Sequence, residues 1–226
     1  MESTQTELSH SAPKEAWSPW RKANYAFFKK HLEPIPRAAA LVDLGAGPVQ
    51  FSDLFFQFAY TGVDFEKYEH VRVVTDLTKP IPLPDQSADV VTLSNTLEHI
   101  PNGEAFIREC YRLLKSGGHI IGTIPFLVPV HQAPYDFNRY TYFQLERLLS
   151  EAGFKNVSVE PLGGQIDVYN TIELKVFEEL RATRGGLLLE CVRFIRRVEM
   201  RLLRALYSHT AATKKVTEGY GFTATK

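Results

Sequence analysis

The sequence lacks the features of a secreted or membrane-spanning protein. Its only two cysteines, Cys110 and Cys191, lie far apart in segments with helical patterns, which fits buried reduced thiols better than a disulfide framework. No stretch approaches the roughly 20 continuous apolar residues of a spanning helix, and the polar N-terminus has no signal-peptide pattern. We therefore expect a cytoplasmic protein.

Net charge is also absent. The chain has 26 basic and 26 acidic residues, so it generates no overall field that would attract a polyanion. We expect no nucleic-acid partner, and we predict no bound metal. The 44% of hydrophobic residues in a chain of 226 is enough for one sizeable core with an elaboration.

The chain divides into five parts by composition and pattern. Residues 1–15 are rich in Ser, Thr and Glu, which predicts a disordered tail. An N-terminal helix is expected within 16–36, and a core of alternating strands and helices within 40–162. A helical elaboration follows over 163–218, and residues 219–226 have the composition of a closing strand.

Continuous apolar runs alternate with helical patterns in the core, which is typical of a parallel sheet buried on both faces. We therefore predict an α/β, doubly wound, Rossmann-like fold with helices on both faces of the sheet. Strands are predicted at Ala40–Leu44, Tyr60–Val63, Val71–Thr75, Asp89–Ser94, His119–Pro125 and Asn156–Pro161. Helices are predicted at Gln50–Phe58, Asn102–Leu114, Tyr142–Ala152, Asp167–Arg184 and Leu187–Tyr207.

The segment from Leu41 to Pro48 predicts a strand that runs into a glycine turn, where missing Cβ atoms let the backbone approach a ligand. Asp64 closes the next strand, where a carboxylate accepts hydrogen bonds from ribose hydroxyls. Gln50 stands where a dinucleotide fingerprint needs its third glycine, and Pro48 removes a backbone donor for a pyrophosphate. These features favour a nucleoside without phosphates.

Several motifs in this order resemble those of class I S-adenosylmethionine-dependent methyltransferases, in particular the type-11-like bacterial small-molecule subgroup. The resemblance implies a seven-stranded, mostly parallel sheet with an antiparallel last strand, S-adenosylmethionine as cofactor, and a sugar, glycolipid or secondary metabolite as acceptor. Pro48 departs from the third glycine of many members. The motifs are Val42-Asp-Leu-Gly-Ala-Gly47, Asp64, Thr75-Asp-Leu77, Asp89-Val-Val-Thr-Leu-Ser-Asn95, Leu97-Glu-His-Ile100 and Arg112-Leu-Leu-Lys-Ser-Gly-Gly118.

The resemblance also implies which residues bind the cofactor. Asp43 would hold the methionine amino group, and Leu77 is as well explained by packing as by contact with adenine. The full set is Asp43, Gly45 and Gly47 for the methionine portion, Asp64 for the ribose, Phe65, Asp76 and Leu77 for the adenine, and Asn95 for the sulfonium end.

The loop from Pro125 to Thr141 predicts the acceptor site, because it follows a strand at the edge of the sheet where ligands bind. Three of its residues, Tyr135, Arg139 and Tyr140, are predicted to bind the acceptor. Asp136 and Arg139 could instead pair with each other and brace the turn. The phrase from His131 to Thr141 resembles the same bacterial subgroup.

Catalysis is assigned to His131, Glu98 and Asp136. A hydroxyl acceptor needs a base, and His131 has the side chain whose ordinary pKa lies nearest neutral pH, with Glu98 or His99 in reserve. A hydrogen-bonded structural histidine is an equal alternative for His131. His99 is better explained as a neighbour of the cofactor.

The segment from Leu187 to Tyr207 predicts an amphipathic helix with basic residues along one arc. Such a helix could contact an anionic membrane, or it could simply cover the core with its arginines in solvent. The basic arc is Arg193, Arg196, Arg197, Arg201 and Arg204, and the opposite arc is Leu188, Cys191, Ile195, Val198, Leu202 and Leu206.

Two other functions remain open from the sequence. A nicotinamide-dependent reductase would use the same scaffold, and Tyr111 and Lys115 have the spacing of its catalytic pair, although they precede the fifth strand instead of following it. A non-catalytic nucleoside-binding or membrane-docking adaptor would also share the fold, because fold does not determine function.

Overall fold

The computed structural model describes residues 17–183, 187–207 and 213–226, so the predicted tail at 1–15 lies outside the described residues. The described part forms one sheet with helices on both faces, which confirms the predicted fold class. The helices are α1 (Pro19–Leu32), α2 (Ser52–Phe55), α3 (Gly103–Leu113), α4 (Tyr142–Glu151), α5 (Gln165–Thr183) and α6 (Leu187–Tyr207), with a 3₁₀ turn at Leu97–His99. The strands are β1 (Ala40–Leu44), β2 (Ala59–Asp64), β3 (Val71–Val74), β4 (Ala88–Ser94), β5 (Leu114–Pro125), β6 (Lys155–Leu162) and β7 (Gly219–Thr225).

The seven strands have the order β3-β2-β1-β4-β5-β7-β6, and only β7 is antiparallel to its neighbours. The order reverses between β1 and β4, which pair in parallel. In such sheets a crevice opens at the carboxyl ends of the two strands that flank the reversal. The loops that follow β1 and β4 are therefore placed to line a ligand site.

Two apolar layers enclose the sheet. One contains α3 and α4, and it includes Leu93, Leu97 and Ile107. The other contains α1 and α2, and it includes the fully buried aromatic side chains of Phe28 and Phe51. Both layers bury the central strands, which explains why those strands are continuous apolar runs.

Strand β7 fits between β5 and β6 because its glycines leave room for the first helix. A Cβ atom at Gly219 would lie 2.3 Å from the ring of Trp20, and one at Gly221 would lie 2.4 Å from the ring of Phe27. Helix α1 therefore packs directly against the backbone of the last strand. The closing strand predicted at 219–226 is confirmed, with Gly219–Thr225 as its bounds.

Three local expectations are wrong. The helix predicted at Gln50–Phe58 is only the four residues of α2, because Val49 adopts a φ of 54° and interrupts the turn that follows Pro48. Strand β5 begins at Leu114, five residues earlier than predicted, with a bulge in its pairing with β4. Cys110 is buried as expected, whereas Cys191 is exposed.

The chain leaves the sheet after β6, forms the helical pair of α5 and α6, and re-enters the sheet at β7. Helix α6 packs through Met200, which is buried, and through Arg196, which forms a hydrogen bond of 2.9 Å to Tyr169 of α5. The expectation that its apolar arc covers the core is wrong, since Ile195, Val198 and Leu202 are exposed. Leu188 lies outside the side chains that the structure describes. Among the described residues, no helix has the length and apolarity needed to cross a bilayer.

Phe222→Ala should destabilise the fold, because the ring is fully buried and occupies the space above Gly122, where a Cβ would lie 2.3 Å from it. We expect a loss of about 3–5 kcal/mol in the free energy of unfolding, measured by urea denaturation. The control is Phe143→Ala, whose ring is 66% exposed and whose loss should stay within about 0.5 kcal/mol. Equal losses in the two variants would contradict this packing.

Candidate functional site

The glycine turn after β1 packs against Thr96, which lies two residues after the end of β4. Gly45 has a φ of 79°, and a Cβ there would lie 2.5 Å from the Thr96 side chain. The Thr96 hydroxyl donates a hydrogen bond of 2.9 Å to the carbonyl of Leu44. Gly47 has a φ of 50°, and a Cβ there would meet no atom within 4 Å. Gly45 is therefore fixed by packing, whereas Gly47 borders open space that a ligand can occupy.

Asp43 lies beneath this turn and does not face the open space. Its carboxylate is almost fully buried and accepts hydrogen bonds from the hydroxyls of Tyr60, at 3.0 Å, and Thr92, at 2.8 Å. Burial raises the pKa of Asp43 to about 6, although the two hydroxyl donors oppose that shift. The two hydroxyls thus tie Asp43 to the neighbouring strands beneath the turn, and its contact with a methionine amino group stays a prediction.

Asp64 closes β2 and lies beside the same turn. One carboxylate oxygen accepts a hydrogen bond of 2.8 Å from the amide of Gly47, and the other accepts one of 2.9 Å from the amide of Glu66. Burial raises the pKa of Asp64, and these amide donors lower it in part. The carboxylate is thus held at the open side of the glycine turn, where a ribose hydroxyl could reach it.

The other predicted cofactor residues differ in accessibility. Phe65 is 65% exposed, so its ring is free to cover a planar ligand, whereas Leu77 is buried in the core and is explained by packing. Asp76 is exposed and caps its own turn through the amide and hydroxyl of Thr78. Asn95 follows β4 with a φ of 54°, and its buried side-chain oxygen has no hydrogen-bond partner.

The loop after β5 is organised by Asp136. Its side chain is 1% exposed, and it pairs through both oxygens with the guanidinium of Arg139. It also accepts a hydrogen bond of 3.0 Å from the backbone amide of His131. Burial alone would raise the pKa of Asp136, but Arg139 and His131 lower it to about 2. This ion pair fits the alternative that Asp136 and Arg139 brace the loop, and a direct role of either residue at the acceptor stays a prediction.

The imidazole of His131 lies between two carboxylates. Its Nδ1 is 3.3 Å from Asp136 Oδ2 and 3.3 Å from the carbonyl of Pro129, and its Nε2 is 3.7 Å from Glu98 Oε1. Glu98 raises the pKa of His131 above its ordinary value, Asp136 adds to that effect, and burial of the ring opposes it. Both acceptors at Nδ1 favour the tautomer that carries its proton there, which leaves the Nε2 lone pair directed toward Glu98.

Glu98 is fully buried, and within the described part of the chain neither of its carboxylate oxygens has a hydrogen-bond partner. His99 lies on the other side of it, with Nε2 3.7 Å from Glu98 Oε1 and Nδ1 2.8 Å from the carbonyl of Tyr135. His99 therefore lies with Glu98 and the loop after β5. It does not lie beside the glycine turn, where the sequence predicted it. Ligand atoms of Glu98, His99 and His131 lie within 4.8 Å of one another, so these residues could also hold a divalent cation.

The two tyrosines of the loop have different positions. Tyr135 is 60% exposed, and Val130 and Phe137 expose apolar surface beside it. Tyr140 is buried, and its hydroxyl would lie 2.2 Å from a Cβ at Gly103. The prediction that Tyr140 binds the acceptor is therefore wrong, because its ring packs in the core, whereas Tyr135 stays a candidate.

Sequence reasoning missed the polar residues that support the site from other elements. Asn24 of α1 is almost fully buried, donates to the carbonyl of Trp20 at 2.8 Å, and lies 3.4 Å from the side chain of Asn95. A polar residue within the apolar stripe of that helix is the signal that would have identified it. Tyr60 and Thr92 carry no such signal, since both look like ordinary strand residues.

Comparison with known proteins agrees with this geometry. Residues 42–122 match the family model described as a methyltransferase domain. A probable S-adenosylmethionine-dependent methyltransferase of Mycobacterium tuberculosis (strain ATCC 25618 / H37Rv) is 27% identical over 161 residues, which are 60% of this chain and 58% of that protein. The chain thus spans less than two thirds of the length of such relatives. The class I methyltransferase resemblance is confirmed.

Two further similarities cover different fractions of the chain. A ubiquinone biosynthesis O-methyltransferase of Pseudomonas entomophila (strain L48) is 35% identical over 79 residues, which are 35% of this chain and 31% of that protein. The crystal structure of a SAM dependent methyltransferase from Archaeoglobus fulgidus has a TM-score of 0.59 at 17% identity and covers 91% of this chain and 94% of that chain. At this identity the structural likeness shows the shared fold.

Asp43→Asn should change how stability depends on pH. The folded pKa of about 6 exceeds the ordinary value of 3.8, so the folded protein binds the proton more tightly and loses stability as pH rises from 4 to 6. Urea denaturation at intervals across that range should show a weaker decline in the variant. The control Asp76→Asn should leave the decline across that range nearly unchanged, because the pKa of Asp76 is lowered from 3.8 and its effect on stability falls at lower pH. An unchanged decline in Asp43→Asn would contradict the assignment.

Proposed function

We propose that this chain, which belongs to the class I S-adenosylmethionine-dependent methyltransferase family, methylates a hydroxyl group of a small-molecule acceptor. The observation that carries the proposal is the cluster of Glu98, His131 and Asp136 beside the crevice, since an oxygen nucleophile needs a proton acceptor. The name of the O-methyltransferase relative is in line with an oxygen acceptor. A sugar, a glycolipid or a secondary metabolite would supply such a hydroxyl.

The residues around the glycine turn fit the proposed cofactor. The open space beside Gly47 admits the methionine portion, and Asp64 lies where it can accept hydrogen bonds from the ribose hydroxyls. Phe65 can cover the adenine, and Asn95, which follows β4, would lie toward the sulfonium end of the cofactor. When bound, S-adenosylmethionine supplies the electrophilic methyl group.

In this mechanism the chain positions the acceptor and removes its proton. Methyl transfer by in-line displacement depends mainly on alignment of the acceptor oxygen with the methyl carbon. Tyr135 and the apolar side chains exposed beside it would bind the acceptor, whereas Asp136 and Arg139 hold the loop in place. Asp136 is thus a positioning residue in this proposal.

His131 is the proposed base. Asp136 and the Pro129 carbonyl hold the proton on Nδ1, so Nε2, which lies 3.7 Å from Glu98 Oε1, carries the lone pair that would accept the proton of the acceptor hydroxyl. The resulting imidazolium would lie between the carboxylates of Asp136 and Glu98, which stabilise its charge. Glu98 contributes through this electrostatic effect and does not need to contact the acceptor.

The structure disfavours the reductase alternative. The ring of Tyr111 packs at a right angle on that of Phe154, and Lys115 forms an ion pair of 2.9 Å with Asp89. Lys115 and Asp89 lie where β5 and β4 begin, at the opposite edge of the sheet from the glycine turn. Tyr111 and Lys115 therefore contribute to packing and to surface charge.

A non-catalytic adaptor differs from an enzyme only in that it does not turn over substrate. An assay of label transfer from the cofactor distinguishes the two.

Asp64→Ala should weaken binding of S-adenosylmethionine by about 1.5–3 kcal/mol, because charge-assisted hydrogen bonds to the ribose are lost. Isothermal titration calorimetry with the cofactor and with its demethylated product measures this effect. Glu66→Ala is the matched control, since its side chain is exposed next to the same turn. Tight binding of NAD by the unaltered protein, without a response to S-adenosylmethionine, would refute the proposal.

His131→Ala should leave cofactor affinity unchanged and lower kcat by about 10²- to 10⁴-fold, the usual contribution of a positioned base. The assay follows label from methyl-labelled S-adenosylmethionine into a panel of hydroxylated sugars, phenols and glycolipids. His119→Ala is the control, because His119 lies near the start of the paired part of β5, away from the crevice. Full activity in His131→Ala would refute the base. Loss of activity on chelation, restored by Mg²⁺ or Zn²⁺, would show instead that His131 is a metal ligand.

Glu98→Gln should move the acid limb of the pH–rate profile to lower pH. The neutral imidazole is the active form, so kcat/KM falls as pH decreases through the His131 pKa, which Glu98 raises above 6.5. Removing that carboxylate charge lowers the pKa, and the profile of the variant should shift accordingly. A limb that stays in place in Glu98→Gln would mean that another group is the base.

A further inference from the structure

The helical pair of α5 and α6 exposes an unusual amount of apolar surface. Eleven of the eighteen large apolar side chains that are exposed in the described residues lie on these two helices. Contiguous apolar surface on this scale marks an interaction site, whereas single exposed residues do not. On α6 these side chains are Val192, Phe194, Ile195, Val198, Leu202 and Leu206, and on α5 they are Tyr169, Ile172, Leu174, Val176 and Leu180.

The apolar side chains of α6 form one stripe. Phe194, Val198 and Leu202 follow each other at four-residue intervals, and Leu206 continues the series with 76% of its surface exposed. The stripe spans the thirteen residues from Phe194 to Leu206, or about 18 Å of helix. Met200 and Arg196, which contact α5, lie on the opposite side of the helix. Within the described part of the chain, the stripe therefore has no protein surface to cover it.

Basic residues run along the border of this stripe. Arg197 and Arg201 are exposed at a four-residue spacing, and among the described side chains neither has an ion-pair partner. Arg196, in contrast, is paired with Glu173 and Glu199. The side chains of Arg193 and Arg204 lie outside those that the structure describes. An exposed apolar face bordered by unpaired arginines is the pattern of a helix that lies in the headgroup region of a membrane.

We propose that the stripe of α6, with Arg197 and Arg201 at its border, docks this protein onto a bilayer that contains anionic phospholipids. The apolar side chains would enter the boundary between headgroups and acyl chains, and the arginines would pair with headgroup phosphates. This surface is distinct from the site of methyl transfer and does not depend on the proposed function. A second copy of the chain could also cover an apolar stripe, but unpaired arginines along its border favour a surface rich in phosphate groups.

The topology connects this surface with the acceptor loop. Strands β5 and β6 both end where β7 begins, since Pro125 and Leu162 each pair with Gly219. The helical pair therefore departs from the same edge of the sheet as the loop that carries His131. Glu218 links the two, because its carboxylate accepts from Thr171 of α5 at 2.5 Å and its carbonyl accepts from the amide of Phe126 at 2.7 Å.

Co-sedimentation with vesicles tests the proposal. The purified chain should bind vesicles that contain phosphatidylglycerol at least tenfold more tightly than vesicles of phosphatidylcholine alone. Binding should weaken as salt increases, because ionic strength of 0.1 M screens exposed charges beyond about 10 Å. Equal binding to both vesicles, or no binding to either, would overturn the proposal. Cofactor binding is measured separately by calorimetry. Failure of vesicle binding would therefore leave the proposed methyltransferase function standing.

Two pairs of substitutions separate the apolar and basic contributions. Phe194→Gln with Leu202→Gln should abolish binding, and Arg197→Gln with Arg201→Gln should reduce it roughly fivefold per arginine on anionic vesicles only. The controls are Phe143→Gln, an equally exposed ring on α4, and Lys29→Gln with Arg72→Gln, exposed charges elsewhere. All variants should keep the thermal midpoint of the parent. If the apolar pair instead converts a dimer to a monomer and leaves vesicle binding unchanged, a second copy is the occupant.

Discussion

The site depends on one close packing, that of the glycine turn against Thr96. The Thr96 hydroxyl donates to the carbonyl that ends β1, and the contact is so close that Gly45 has no room for a Cβ. This contact joins the carboxyl ends of β1 and β4 at the point where the strand order reverses. The residues that follow β4 are thereby fixed beside the turn, and both halves of the site, Asp64 on one side and Glu98 on the other, share a single crevice.

Four buried carboxylates surround this crevice, and each has a different environment. Asp43 is bonded to hydroxyls, Asp64 to backbone amides, and Asp136 to a guanidinium, whereas Glu98 has no hydrogen-bond donor. Burying a charge is costly unless partners compensate for it. The first three carboxylates are compensated by these partners within the fold. The charge of Glu98 is compensated only when a cation faces it, which couples this residue to the protonation of His131.

The carboxyl edge of the sheet gathers the functional segments of the chain. The glycine turn and Asp64 follow β1 and β2, the loop with His131 follows β5, and the helical pair follows β6. Because β7 is antiparallel, the chain must return to this edge before its last strand begins, and the excursion over α5 and α6 provides that return. The proposed acceptor site and the exposed apolar stripe of α6 therefore lie at the same edge for topological reasons.

The sequence by itself determined the fold and indicated where the proposed cofactor residues lie, because apolar runs, the glycine turn and Asp64 are local signals of strand, turn and ligand. It did not determine the environment of each charge. Asp43 is engaged from beneath by Tyr60 and Thr92, residues on two other strands, and Tyr140 turns inward because Gly103 leaves room for it.

The tertiary structure also decided the two features on which the proposals depend. Glu98, His99 and His131 come from a turn after β4 and a loop after β5, and only sheet pairing brings their ligand atoms within 4.8 Å of one another. The amphipathic pattern of α6 was visible in the sequence, but a pattern cannot tell which face meets the core. Packing through Met200 and Arg196 directs the apolar stripe away from the protein, because the sheet is already covered by α1 and α2 on one face and by α3 and α4 on the other.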